Sequence, residues 1–142
     1  MDSQITIIVN ADAIIAQFNQ EDFHYHEAQK ITKKLLKIKA NIIYPSTAIA
    51  ESATHIQRIL NSSSGAKKIV ETISLNPFTK IAEVNKEVLE GALEYFNEKS
   101  SKKNTIFDCI VAYIALENEA DAIFSFDKFY SKKGFKLAKE LL

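Results

Sequence analysis

An α/β fold, three-layered with a central and mainly parallel sheet of four to five strands between helices, is the class this sequence predicts. Three observations predict it. Short apolar or β-branched runs recur at Ile5-Thr6-Ile7-Ile8-Val9, Asn41-Ile42-Ile43-Tyr44, Phe78-Thr79-Lys80-Ile81 and Ala122-Ile123-Phe124-Ser125-Phe126. Stretches with helical spacing separate them, and parallel strands need crossover connections that are usually helical. The first and last runs are apolar at nearly every position instead of alternating, as strands covered on both faces are.

The elements follow in order. Ile5 to Val9 is the first strand, and Ala13-Ile14-Ile15-Ala16-Gln17-Phe18 reads as a short helix after it. Asn19 to Asp22 is a turn, with Asp22 a candidate cap for a helix from about His24 to Lys39. Ala28, Ile31, Leu35 and Ile38 form its apolar stripe. Asn41 to Tyr44 is the second strand, ended by Pro45. Ser46 or Thr47 can cap the next helix, which runs to about Leu60 with Ile49, Ala53, Ile56 and Leu60 inward. Asn61-Ser62-Ser63-Ser64-Gly65 suits a helix-to-helix turn, and Lys67 to Ser74 a further short helix. After the strand around Phe78 to Ile81, Asn85 to Asn97 reads as a helix with Val88, Leu89, Ala92, Leu93 and Phe96 inward. Thr105 is the expected cap of the apolar helix Asp108 to Leu116. Phe135-Lys136-Leu137 is expected as a last edge strand.

At 142 residues the chain is expected to form one domain over 1–142. With 46% apolar and 25% charged residues it should fold and stay in solution. Eighteen basic and eighteen acidic residues cancel, which excludes a protein held on nucleic acid or membrane by bulk charge. Any nucleic acid contact must come from local placement. The one cysteine, Cys109, lies within an apolar helix pattern and has no internal partner, so a reducing, cytoplasmic setting is expected. No run approaches a membrane span in length, and no basic segment with an apolar core opens the chain.

In an open parallel sheet the carboxyl ends of the strands lie along one rim, where such sheets build their sites. Four positions collect there: Asn10 after the first strand, Glu51 early in the helix after the second, Asp108 opening its helix, and Asp127 after the strand ending at Phe126. Carboxylates crowded together repel, so they persist with raised pKa values or with a cation between them. Magnesium takes hard oxygen ligands, lowers the pKa of a bound water and neutralises charge building on a phosphate. Such a rim suits phosphodiester hydrolysis.

Four segments carry a more specific likeness. Val9-Asn10-Ala11-Asp12-Ala13-Ile14-Ile15-Ala16, Pro45-Ser46-Thr47-Ala48-Ile49-Ala50-Glu51, Phe107-Asp108-Cys109-Ile110-Val111-Ala112 and Ala120-Asp121-Ala122-Ile123-Phe124-Ser125-Phe126-Asp127-Lys128-Phe129 together resemble the PIN domain family. The resemblance covers essentially the whole chain. It implies a Mg2+- or Mn2+-dependent endoribonuclease, and small single-domain relatives that are VapC-type toxins neutralised by a VapB-like antitoxin and commonly paired as homodimers. It places the family's acidic quartet on Asn10, Glu51, Asp108 and Asp127, with Ser46 or Thr47, Thr105 and Ser125 as smaller polar positions near the pocket.

One departure matters. The family has aspartate where this chain has Asn10; an amide oxygen can still coordinate a metal but removes one negative charge. Asp12 stands two residues on, where asparagine or serine is common, as if the polar pair were exchanged. Three accounts stand: Asp12 reaches the metal and restores the charge, the substitution was introduced to silence a harmful nuclease, or the chain is a weakened or inactive PIN-like module that binds RNA or protein without cutting.

Other features are weaker. His24 and His26 are two apart and do not share a helical face, which argues against a metal pair. His55 is read as a surface residue and Cys109 as a small core residue. Lys30, Lys33, Lys34, Lys37 and Lys39 read first as a solvated face. Lys99, Lys102 and Lys103, and Lys128, Lys132 and Lys133, flank the acidic helix and strand and are the better candidates for RNA contact. The helices between residues 24 and 74 are the expected surface for a second copy or an antitoxin helix.

Overall fold

The computed structural model of the chain describes residues 4–99 and 103–142. Thr6–Val9 forms β1, Asn41–Pro45 β2, Lys80–Ala82 β3 and Ala122–Phe124 β4. All pairings are parallel, in the order β3-β2-β1-β4. The expected fifth strand at Phe135–Leu137 reduces to a single bridge between Leu137 and Ile123. Its backbone is committed elsewhere: Phe135 N donates to Tyr130 O at 3.0 Å, and the chain enters a helix at Ala138 one residue after the bridge.

β1 lies inside the sheet, and Ile7, Ile8 and Val9 are completely buried. Its pleat sends side chains alternately into two cores. Ile7 and Val9 meet Ala122 and Phe124 on one face, and Ile8 meets Ile43 and Ile123 on the other. Burying each of these aliphatic side chains contributes ~1.5–3 kcal/mol, and only a run without polar residues can supply that on both faces.

Helices α1 (Ala11–Phe18), α2 (Tyr25–Lys37), α3 (Ser46–Ile59) and α4 (Ser63–Ser74) cover the first face. The second is covered by α5 (Lys86–Ala92) and α6 (Ile106–Glu117), together with Tyr130 of α7 (Phe129–Lys132). The short α8 (Ala138–Leu141) returns to the first core through Ala138. Three layers result, as the sequence predicts. Because β2 and β3 step away from β1 on one side and β4 returns on the other, the strand order switches sides between β1 and β4. That crevice at the carboxyl ends of the strands is where open α/β sheets bind ligands.

Several boundaries differ from expectation for local reasons. α3 starts at Ser46 directly behind Pro45, so neither Ser46 nor Thr47 acts as a side-chain cap. α4 starts four residues before Lys67, because Ser62 Oγ accepts from Gly65 N at 3.0 Å and turns Ser63 to Gly65 into the first helical turn. α5 stops at Ala92 and tightens into a 3-10 turn over Leu93–Tyr95. That change of pitch rotates Leu93 outward, and Leu89 and Phe96 are also exposed, leaving Val88 and Ala92 as the buried stripe. Ile38 and Leu60, each just past a helix end, are exposed as well. Asp22 accepts from His24 N at 2.8 Å and organises the turn before α2 without standing at the cap position itself. β3 begins two residues later than expected and leaves Phe78 in solvent.

α5 lies close to α6, and Gly91 makes that approach possible. A methyl group on Gly91 would sit 2.1 Å from the ring of Tyr113. Gly91→Ala is therefore expected to destabilise the fold by about 1–2 kcal/mol despite alanine's higher helix propensity, because overpacking outweighs the gain. Urea unfolding should show a lower midpoint with an unchanged slope.

Candidate metal centre

Asn10 follows β1 directly, and its backbone N–H donates to Phe124 O at 3.0 Å, locking the end of β1 to the end of β4. Its side chain is buried. Nδ2 donates to Asp12 Oδ1 at 3.0 Å and lies 3.5 Å from Ser125 Oγ. The opposite amide orientation would set oxygen against carboxylate oxygen, so the Asp12 charge fixes it. Asn10 Oδ1 is left buried with no hydrogen-bond partner.

Asp12 lies in the first turn of α1 and turns back toward the strand ends. Its Oδ2 accepts from Phe126 N at 2.8 Å and from Ser125 Oγ at 3.0 Å. Burial raises its pKa above the ordinary 3.8, opposed by the hydrogen bonds from Phe126, Ser125, Asn10 and Ala13. Asp12 thus joins α1 to the loop after β4 and places its charge at the rim. Ser125 continues the connection, its hydroxyl accepting from Asp127 N at 3.1 Å.

Asp127 is oriented at both oxygens. Oδ1 accepts from Phe129 N at 2.9 Å, which starts α7, and Oδ2 accepts from Asn104 Nδ2 at 2.9 Å. The same Asn104 amide lies 3.4 Å from Asp108 Oδ2. Asp108 is the third residue of α6, where its Oδ2 accepts from Thr105 N at 3.0 Å and completes a capping box with Thr105. Its other oxygen accepts from the hydroxyl of Tyr130 at 3.3 Å. Burial, with the Asp127 charge adding to it, pushes Asp108 up against the hydrogen bonds that hold it down. Burial and the three aspartates Asp108, Asp12 and Asp127 push the Tyr130 phenol well above 10, so it stays a proton donor.

Glu51 completes the rim from α3. No hydrogen bond holds it among the described residues. Burial, followed by the charges of Asp108 and Asp12, raises its pKa from 4.5 to about 7. The sequence-derived positions therefore form one system in which Asn10, Asp12, Ser125, Asp127 and Asp108 are linked by hydrogen bonds, and Glu51 is coupled to them by charge. Among the described residues, no three His, Cys, Asp or Glu side chains already converge at ligand distance. The donor set nonetheless suits a hard, hydrated cation: every candidate is an oxygen donor, and Asn10 Oδ1 and the Glu51 carboxylate are unclaimed.

Two participants escape sequence reading. Asn104 sits between Asp108 and Asp127, and Tyr130 supplies a buried donor to Asp108. An amide just before a helix cap, and a tyrosine in the first turn after an aspartate, are the only signals either leaves. Of the smaller polar positions, Ser125 and Thr105 join the network, whereas Thr47 Oγ1 is buried without a partner. His24 stacks on Phe126 and His55 is exposed, in keeping with their weak claims as ligands. Cys109 is a buried core residue. Lys30 and Lys34 line a separate concavity with Lys139 that contains none of the acidic rim residues. Lys102 lies outside the described residues.

The PIN domain family model matches residues 7–136. The chain belongs to the PIN domain family. Among solved structures it is similar to VapC20 of Mycobacterium tuberculosis, described as a sarcin-ricin loop cleaving toxin, with a TM-score of 0.77 and 19% identity over 91% of this chain and 95% of that one. It is also similar to PAE2754 from Pyrobaculum aerophilum, with a TM-score of 0.59 and 19% identity over 96% of this chain and 86% of that one. No curated protein matches the sequence. PIN domains are typically nucleases and generally use divalent metals. Among the described residues, no helix is long and apolar enough to cross a membrane.

The Glu51 shift carries a signed consequence for the metal-free protein. Folded, Glu51 keeps its proton to about pH 7; unfolded, it releases it near 4.5. The folded state binds more protons across that window, so stability falls as pH rises through it. Glu51→Gln removes this loss. After allowance for solvent screening, the variant should gain ~1 kcal/mol over wild type at about pH 8 and nothing at about pH 4, in denaturant melts with chelator present.

Proposed function

We propose that this PIN domain is a Mg2+- or Mn2+-dependent endoribonuclease that resembles the toxin of a VapBC-type pair. The observation that carries the reading is the state of Glu51. Burial raises this carboxylate to about 7, and the charges of Asp108 and Asp12 add to the shift, which supports placing acids from α3, α6 and α1 within one electrostatic field. Such a field attracts a divalent cation. Asn10 Oδ1, Glu51, Asp108 and Asp127 would hold the ion, and Asp12 would supply the charge that Asn10 lacks. When bound, the ion supplies an acidified water and neutralises charge on the phosphate.

The chain's own residues supply the rest. Glu51, with no hydrogen bond to hold it among the described residues, is suited to orient an attacking water. Asn104 and Tyr130 orient the Asp127 and Asp108 carboxylates. RNA as the substrate class is supported by the description of VapC20 as cleaving the sarcin-ricin loop. A VapB-like antitoxin and a homodimer belong to the same reading. The exposed Ile59, Leu60 and Val70 on and beside α3 and α4 are the surface offered for either. The reading also includes a cytoplasmic location, which accords with a single, buried, unpaired cysteine.

A second reading rests on Asn10 itself. A neutral amide at the first ligand position favours a PIN-like module that binds RNA or protein without cutting. Cleavage of a structured RNA with manganese, run beside Asp108→Ala, separates the two: cutting that disappears in the variant supports the enzyme, and binding without cutting supports the module. Asn10→Asp should strengthen manganese binding about tenfold, equivalent to ~1.4 kcal/mol of added attraction. Calorimetry showing no gain would remove Asn10 from the coordination sphere.

A further inference from the structure

α5 and the 3-10 turn that follows it carry an apolar ridge on their exposed side. Leu89, Leu93 and Phe96 are 48%, 62% and 42% exposed. They are spaced by four residues and then three, which aligns side chains along an α-helix and along a 3-10 turn respectively. The ridge runs for about two turns, roughly 10 Å. Val88 and Ala92 hold α5 to the core, and none of the three ridge side chains packs into it. The ridge belongs to the layer of α5 and α6, across the sheet from the exposed Ile59, Leu60 and Val70 on and beside α3 and α4.

An acidic border is the second, independent observation. Residues 83–98 contain five glutamates, Glu83, Glu87, Glu90, Glu94 and Glu98, against one base, Lys86, in a chain with no net charge. Lys86 meets Glu90 at 4.0 Å, and the other four glutamates make no ion pair among the described residues. Tyr113 of α6 marks where the acids gather. Its phenol is pushed above 10 by burial first and then by Glu117, Glu87 and Glu94. Carboxylates from both helices therefore lie beside the seam where Gly91 meets that ring. The border and the ridge occupy neighbouring strips of the same helix.

Charge decides between occupants. The glutamates repel the phosphates of nucleic acid and the headgroups of an anionic membrane, so neither covers the ridge. A second copy meeting it about a two-fold axis would set the same glutamates against themselves. A helix with lysines or arginines beside an apolar stripe complements both parts: its apolar side chains interlock with the ridge, and its cations meet the carboxylates. We propose that the α5 ridge is the docking surface for a basic amphipathic helix of a different protein, with Leu89, Leu93 and Phe96 against its apolar stripe and Glu87 and Glu94 against its cations. This holds whether or not the acidic rim cuts RNA, and a partner seated there leaves the α3–α4 surface free.

The probe is a synthetic, fluorescently labelled peptide of about eighteen residues, long enough to hold a helix, with leucines along one face and lysines beside them. Anisotropy titrations are run at low and at high salt. The protein should bind this peptide, and bind its glutamate-for-lysine counterpart roughly tenfold more weakly at low salt. Leu93→Ala with Phe96→Ala should weaken binding of the lysine peptide about tenfold at either salt, the loss expected when apolar contact area is removed. Glu87→Lys with Glu94→Lys should weaken it about tenfold at low salt and far less at high salt, because salt screens exposed charges. All four side chains are exposed, and unchanged urea midpoints in both variants separate lost docking from lost folding. Failure to bind the lysine peptide, equal affinity for the glutamate peptide, or binding indifferent to either variant would overturn the proposal. So would sedimentation of the free protein as an oligomer that Leu93→Ala with Phe96→Ala dissociates, since a second copy would then cover the ridge.

Discussion

The Asp12 carboxylate is the interaction on which the geometry of the rim depends. Three groups other than its own neighbours in α1 converge on it: the Asn10 amide, the Ser125 hydroxyl and the Phe126 backbone N–H. They come from the end of β1 and from the segment after β4, two places adjacent only because the sheet order reverses between these strands. A buried carboxylate with too few donors would be protonated or hydrated, whereas this one accepts enough to remain in place. Its position then determines others. The turn after β4 presents Asp127, Asp127 begins α7, and α7 carries Tyr130 to Asp108.

Neutral donors separate the acids along this chain of contacts. Ser125 lies between Asp12 and Asp127, and Asn104 between Asp127 and Asp108. Asn104 faces carboxylate oxygens of both its neighbours, and Ser125 donates to the Asp12 carboxylate while accepting from the Asp127 backbone N–H, so the aspartates are held near one another without direct contact. Glu51 has no such separator, and its burial, with the charges of Asp108 and Asp12 adding to it, is expressed in its proton affinity. The rim is therefore rigid along its aspartates and adjustable at the glutamate. An adjustable carboxylate can change its coordination or accept a proton without disturbing a cap or a turn.

Much of this was legible in the sequence, and the exceptions have physical causes. β1 and α6 could be read because burial on several sides demands unbroken apolar runs, and Thr105 because caps have a narrow chemistry. The rim positions of Glu51, Asp108 and Asp127 followed from parallel topology alone. The inward residues of α5 could not be read: Leu89 and Leu93 satisfy helical spacing, but the tightening after Ala92 and the close approach of α6 at Gly91 decide which face is buried. The short helices α7 and α8 are four residues each, too brief to leave a periodic signal. Asn104 and Tyr130 act through single long-range contacts, over 23 and 22 residues respectively, that no local pattern encodes.

The pair Asn10 and Asp12 keeps a carboxylate beside the end of β1 although the residue directly after the strand is neutral. The rim carries four carboxylates, Asp12, Glu51, Asp108 and Asp127, the number that the family's acidic quartet would supply. Only the route of one charge differs. Asp12 spends both oxygens on internal donors, so it cannot face a cation as freely as a terminal ligand would, but one of those donors is the Asn10 amide. A carboxylate drawing on the N–H2 group polarises the amide and concentrates negative charge on its oxygen, as hydrogen-bonded chains do in a low-dielectric setting. That oxygen, Asn10 Oδ1, is the buried atom without a partner. An ion held at the rim would therefore meet at Asn10 a neutral oxygen polarised by the Asp12 charge. Such an oxygen attracts a divalent ion less strongly than a carboxylate does. It also spares the metal-free protein two acids 3.0 Å apart, the separation at which Asn10 now meets Asp12.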